Sequence, residues 1–156
     1  MFHVLLYQPE IPPNTGTIIR LCAASNTRLH LIGPLGFRLD AAAVRRAGMD
    51  YRELADVQRW ADWSAYTDES LDNSRTFVIS THGKQLYTQP DFRLGDRFLF
   101  GSEGAGLPKA IMKSHGDRVL RIPMAPSARS LNLAVSVSIV LYEGLRQVGF
   151  APEDMH

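Results

Sequence analysis

The chain has almost no cysteine. Its one thiol, Cys22, excludes a disulfide framework and any multi-thiolate zinc site. It has no charge excess either. Seventeen Lys and Arg against sixteen Asp and Glu leave a formal net charge of +1, so any attraction for phosphates must come from a local basic face. No apolar run reaches the ~20 residues that span a bilayer. The start, Met1-Phe2-His3-Val4-Leu5-Leu6-Tyr7, carries no basic segment and no cleavage site, so no secretory signal is expected and the cytoplasm is the expected location. The five histidines show no H-x-x-x-H spacing and read as ordinary surface or strand residues, so no metal is expected. There is no G-x-S-x-G elbow for a serine nucleophile. No repeat, linker or low-complexity tract divides the 156 residues, which read as one soluble domain over 1–156.

What is present is an alternation of short β-branched apolar runs with helical patterns. Strands are predicted over 2–7, 28–32, 76–81, 97–100 and 118–122, and helices over 15–25, 40–47, 60–71, 108–114 and about 131–148. Such alternation predicts a parallel sheet covered by helices. Asn14 and Asp40 are candidate N-caps, Pro108 suits a first helical turn, and Gly48 and Gly116 sit where helices should stop. Cys22, beside Ile18 and Leu21, reads as core. Trp60, Trp63 and Tyr66 fall at helical spacing and read as a packed face, and Asp62, Asp68, Glu69 and Asp72 as a solvated edge. The stretch 83–93 has no clear pattern. The last helix is apolar nearly all round, with Leu133, Ala134, Val135, Val137, Ile139, Val140, Leu141 and Leu145. Such a helix is either a central core element or one that buries a second face by self-association.

Three segments have the composition of a site. In Pro12-Pro13-Asn14-Thr15-Gly16-Thr17-Ile18-Ile19-Arg20, a strand leads into a helix that displays Arg20 away from Ile18 and Leu21. In Gly101-Ser102-Glu103-Gly104-Ala105-Gly106-Leu107-Pro108, three glycines follow an apolar strand, where α/β sheets bind ligands. The order G-x-x-G-x-G is not a dinucleotide fingerprint, and no Gly-Lys-Ser/Thr follows to make a P-loop. Glu103 would repel a polyphosphate. The choice is between a tight turn and a backbone site for a small uncharged or cationic ligand. In Ile122-Pro123-Met124-Ala125-Pro126-Ser127-Ala128-Arg129-Ser130-Leu131-Asn132-Leu133, a proline-stiffened loop enters the last helix. Ser130 is a candidate N-cap, which would put Asn132 at the second helical position.

In this order, the three segments resemble the signature motifs of the SPOUT class of RNA methyltransferases. Asn14-x-Gly16-x-x-x-Arg20 matches the first, the glycine loop the second, and Ser130-Leu131-Asn132-Leu133 the third. The likeness extends to Tyr7-Gln8-Pro9-Glu10-Ile11-Pro12-Pro13, Arg45-Arg46-Ala47-Gly48 and Arg121-Ile122-Pro123-Met124. It covers essentially the whole chain and is nearest to the minimal TrmL (YibK)-type enzymes. The resemblance implies an α/β SPOUT fold, a mostly parallel sheet flanked by helices with a deep C-terminal trefoil knot over roughly 76–135. Pattern by itself proposes an open doubly wound sheet, because true knots are rare.

The resemblance further implies methyl transfer from S-adenosylmethionine to the ribose 2′-OH of the wobble nucleotide (position 34) in leucine tRNAs. It implies a homodimer, with each site drawn from both chains and binding the tRNA anticodon stem-loop. Cofactor contacts are expected from Ile79, Gly101, Ile122, Ser130 and Leu131. Arg20 is the implied catalytic residue, with Asn14, Glu103 and Asn132 ordering the site. A guanidinium stays protonated in proteins, so Arg20 is expected to hold a phosphate and stabilise the developing alkoxide rather than act as a base. Arg45, Arg46 and Arg129, with Tyr142 at the dimer seam, are the further RNA-contact candidates. Two other readings stay open: the same chemistry on another tRNA or rRNA nucleotide, and a binding module without catalysis. Titration with S-adenosylmethionine separates the module from the enzymes.

Overall fold

The computed structural model describes residues 1–38, 57–69 and 74–150. The expected helix over 40–47, its flanking Asp40 and Gly48, and Arg45 and Arg46 lie outside the described residues, as do the end of the helix expected over 60–71 and Asp72.

Among the described residues, seven strands form one sheet: β1 (His3–Tyr7), β2 (Arg28–Ile32), β3 (Val57–Trp60), β4 (Thr76–Ile79), β5 (Gln85–Leu86), β6 (Arg97–Phe100) and β7 (Val119–Arg121). Their spatial order is β3-β2-β1-β6-β4-β7-β5 and every pairing is parallel. Helices α1 (Pro12–Ala24), α2 (Trp63–Glu69), α3 (Lys109–His115) and α4 (Leu133–Gln147) cover its faces. Strands β1 and β6 lie at the centre, which is why Val4-Leu5-Leu6 and Phe98-Leu99-Phe100 show no polar alternation. Val4, Leu6, Phe98 and Phe100 pack with α1 and α4 on one face. Leu5 and Leu99 pack with Tyr66 and Ile111 on the other. No helix among the described residues is long and apolar enough to cross a membrane.

The helix expected over 60–71 starts later. Residues Val57–Trp60 pair with β2 as a strand, and among the described residues of that stretch Trp63–Glu69 is helical. The aromatic face survives, because Trp60 and Trp63 both meet Tyr66, at centroid distances of 5.4 and 5.5 Å. Cys22 is core, and burial pushes its thiol up to about 12. Helix α4 is not a central core element. Val137, Val140, Leu141 and Leu145 are buried, and Gly144 lets the helix pack close to the sheet, since a Cβ there would lie 3.1 Å from Phe98 and 3.2 Å from Phe2. The opposite side leaves Val135 46% and Tyr142 43% exposed, with Leu131 just before the helix 37% exposed.

His30 is a strand residue, as expected, but a buried one. The indole Nε1 of Trp60 donates to its Nδ1 at 3.1 Å. Indole is only a donor, so the His30 proton sits on Nε2 and is donated to His3 Nδ1 at 2.9 Å. Burial, and then the charges of His3, Arg97 and Arg28, push His30 down to about 3. The unfolded chain therefore binds a proton below about pH 6.5 that the folded chain refuses, and stability falls as pH drops through that window. Denaturant midpoints between about pH 6.5 and 5 should fall more steeply in the wild type than in His30→Gln, by close to one proton. Equal slopes would assign the acid sensitivity to other groups.

Candidate functional site

The sheet reverses direction of build beside β1, and the carboxyl ends of β4, β6 and β7 open there into a cavity of about 830 Å³. Its walls come from 79–82, 100–109 and 129–133, with Ile122 and Met124, and from Ile11 and Asn14 on the β1–α1 side. The motif segments, separated by up to 118 residues in sequence, thus meet at one place.

The glycine loop is closed on itself. Ser102 and Gly106 exchange backbone hydrogen bonds at 3.2 and 3.0 Å, and Ala105 N–H donates to Ser102 Oγ at 3.2 Å. Gly101 has no room for a side chain, since a Cβ would lie 2.3 Å from the Gly106 carbonyl carbon. Gly106 has φ +68°, a left-handed conformation that glycine adopts without strain. The N–H groups of Ser102, Gly104, Ala105 and Gly106 all donate to protein acceptors. A phosphate-binding loop aims such groups at its ligand. This loop does not, in keeping with a ligand that carries no phosphate.

Glu103 faces away from that task. Its carboxylate accepts from Glu10 N at 2.8 Å, Ile11 N at 3.2 Å and Asn14 Nδ2 at 3.1 Å. It sits at the amino end of α1, where the helix dipole favours negative charge. Asn14 is not the N-cap of α1. Pro12 and Pro13 occupy the first helical positions, where a missing N–H costs nothing, so the cap position moves back to Ile11. Asn14 is buried inside the first turn and accepts from Asn132 Nδ2 at 2.9 Å. Ser130 is not a cap either. Asn132 caps α4, its Oδ1 accepting from Ala134 N at 2.9 Å and Val135 N at 3.3 Å. One side chain thereby caps a helix with its oxygen and ties that helix to α1 with its nitrogen. Pro108 likewise stands at the cap position of α3, and Gly116 ends α3 at φ +52°.

Ile79, Gly101, Ile122, Ser130 and Leu131 all line the cavity, with Asn14, Glu103, Arg129 and Asn132. Arg20 and Tyr142 do not. Arg20 is on the exposed side of α1, and Tyr142 is on the open side of α4. Sequence reasoning missed Ser80, Thr81, His82 and Lys109, which also line the cavity. The signal was present for the first three, which follow directly on the end of a buried strand. Near β7 the chain packs without side chains between. Ser80 N–H donates to Leu120 O at 2.9 Å, Tyr87 N–H donates to Arg121 O at 3.0 Å, and a Cβ on Gly83 would lie 2.4 Å from the Leu120 carbonyl carbon. Among the described residues no group of three or more His, Cys, Asp or Glu is placed to hold a metal ion.

The profile of the SpoU rRNA Methylase family matches residues 1–142. A tRNA (cytidine(34)-2′-O)-methyltransferase from Aeromonas hydrophila is 49% identical over 152 residues, covering 97% of each chain. A solved structure concerned with the 2-OH methylation of C/U34 on tRNA superimposes with a TM-score of 0.88 at 40% identity, over 97% of this chain and 98% of the other. The SpoU methyltransferase AviRb from Streptomyces viridochromogenes, in complex with the cofactor AdoMet, superimposes with a TM-score of 0.78 at 29% identity. That match covers 94% of this chain and 57% of the other.

Proposed function

We propose, since the chain belongs to the SpoU rRNA methylase family, that it is an S-adenosylmethionine-dependent methyltransferase acting on the ribose 2′-OH of nucleotide 34 in tRNA. The wobble cytidine, or a modified uridine, of leucine tRNAs is the specific target. The observation that carries the reading is the convergence of the glycine loop, the strand end at Ile79 and the Ser130-Leu131 turn on one cavity.

The residues present fit the cofactor. The walls combine apolar side chains such as Ile79, Ile122 and Leu131 with backbone and with polar groups such as Ser80, Thr81 and Ser130. The amides of Ser102, Gly104, Ala105 and Gly106 are engaged within the protein, which suits a heteroaromatic ligand with polar edges that the glycine loop does not hold by a phosphate. Ile79, Gly101, Ile122, Ser130 and Leu131 would hold it. When bound, S-adenosylmethionine supplies a methyl group already activated on a sulfonium. The protein's remaining tasks are to align the ribose hydroxyl and stabilise charge on its oxygen. Arg20 does the second and holds the adjacent phosphate, while Asn14, Glu103 and Asn132 keep α1, the glycine loop and α4 in register. Arg129 at the cavity rim, with Arg45 and Arg46, meets the phosphates of the anticodon stem-loop.

Arg20 does not line the cavity of its own chain, and α4 leaves Val135 and Tyr142 open beside α1. A second copy packed on that surface brings Arg20 of one subunit to the cavity of the other. The reading is therefore a homodimer of single-domain chains (1–156) in the cytoplasm. It includes a deep trefoil knot over roughly 76–135, supported by the bare backbone packing of residues 80–87 on β7. Incubation with labelled S-adenosylmethionine and total tRNA, followed by mapping of the product, should place a 2′-O-methyl group on nucleotide 34 of leucine tRNAs. A methyl group on a base, or on another nucleotide, would overturn the assignment.

A further inference from the structure

The β1–α1 loop and the glycine loop are joined by two carboxylates that point in opposite directions. Glu103 reaches across to the backbone N–H groups of Glu10 and Ile11. Glu10 reaches back, its Oε2 accepting from Gly104 N–H at 3.1 Å. Each acid thus holds the other's loop by its backbone. Like charges brought this close are tolerated because each carboxylate is met by N–H donors. Glu10 is itself held from behind. Gly36 N–H donates to Pro9 O at 3.0 Å, and a Cβ on Gly36 would lie 2.9 Å from the Glu10 Cα. A Cβ on Gly104 would meet Glu10 Oε2 at 2.9 Å, so a side chain there would displace the flexible end of Glu10 from the Gly104 amide. Gly104 lines the cavity, whereas Glu10 is an exposed side chain outside it.

We propose that Glu10 is a positioning residue that holds the middle of the glycine loop in its cofactor-receiving shape through Gly104. The inference rests on the cofactor assignment made above. Three glycines in six residues make this loop costly to order, and its end-to-end bonds between Ser102 and Gly106 leave the tip at Gly104 tethered by Glu10. The same bond links the cofactor loop to the segment that starts α1 and carries Arg20.

Two measurements test this. Hydrogen exchange on the unliganded protein reads the loop directly. Glu10→Ala should lose protection at the Gly104 amide while the β1 and β6 amides are unchanged, and Glu10→Gln, which keeps an acceptor oxygen, should restore it. Calorimetric titration reads the consequence: Glu10→Ala should weaken S-adenosylmethionine binding about ten-fold, with KM raised and kcat at saturating cofactor held within about two-fold. Gly104→Ala pushes the carboxylate off its partner and should weaken binding similarly. In the Glu10→Ala background it should add nothing, since the contact is already gone. Unchanged protection at Gly104 in Glu10→Ala, or additive losses in the double variant, would overturn the proposal. A wild-type protein that does not bind S-adenosylmethionine would instead overturn the cofactor assignment, and the exchange measurement would still decide the role of Glu10.

Discussion

Gly101→Ala should abolish cofactor binding while leaving the chain folded. The added methyl group would lie 2.3 Å from the Gly106 carbonyl carbon and 2.6 Å from Leu107 N, and neither is a side chain that can swing aside. The glycine loop must open by more than an ångström to admit it. That breaks the paired bonds between Ser102 and Gly106 and moves the wall of the cavity. The central strands do not depend on the loop, because β6 ends at Phe100 with partners on both sides. Calorimetry should show no S-adenosylmethionine binding in a variant whose circular dichroism is that of the wild type. Binding within ten-fold of wild type would mean that the loop is not the cofactor wall.

Arg20→Ala should behave in the opposite way. The residue lies outside its own cavity, so cofactor affinity should stay within about two-fold, while turnover falls by about 10²–10³-fold, the scale set by removing one donor from a developing oxyanion. Arg20→Lys should not recover full activity, because a point charge does not replace a planar fork on phosphate and oxygen together. The two variants also test where each site comes from. In the proposed homodimer, co-expressed Arg20→Ala and Gly101→Ala chains should form mixed dimers in which one site has an intact loop from one chain and Arg20 from the other. Random pairing then restores about a quarter of wild-type sites from two inactive parents. No recovery in mixed dimers would place Arg20 and the loop of the same chain in one site, or remove Arg20 from the chemistry.

The elements legible in the sequence are those with an apolar core of their own. The strands expected over 2–7, 28–32, 76–81, 97–100 and 118–122 agree with β1, β2, β4, β6 and β7 to within two residues, because each carries buried apolar residues of its own, most fully Val4-Leu5-Leu6 and Phe98-Leu99-Phe100. β3 and β5 were not read. Val57-Gln58-Arg59-Trp60 is half exposed at one sheet edge and Gln85-Leu86 is only two residues long, so both exist by pairing and carry no periodicity. The caps were misplaced for a related reason. Asn14 and Ser130 have the right chemistry, but Pro12-Pro13 starts α1 early, and the loop before α4 continues through Asn132.

Residue types and their order along the chain determined the parallel α/β class, the glycine loop and the set of polar groups a site could use, because those follow from local burial and backbone freedom. Folding decided which groups face one another: Glu103 turned to α1, Asn132 shared between two helices, Glu10 paired with an amide 94 positions away, and Arg20 left outside its own cavity. Such contacts depend on where strand ends and loops arrive in space, and no local property of either partner encodes the distance between them.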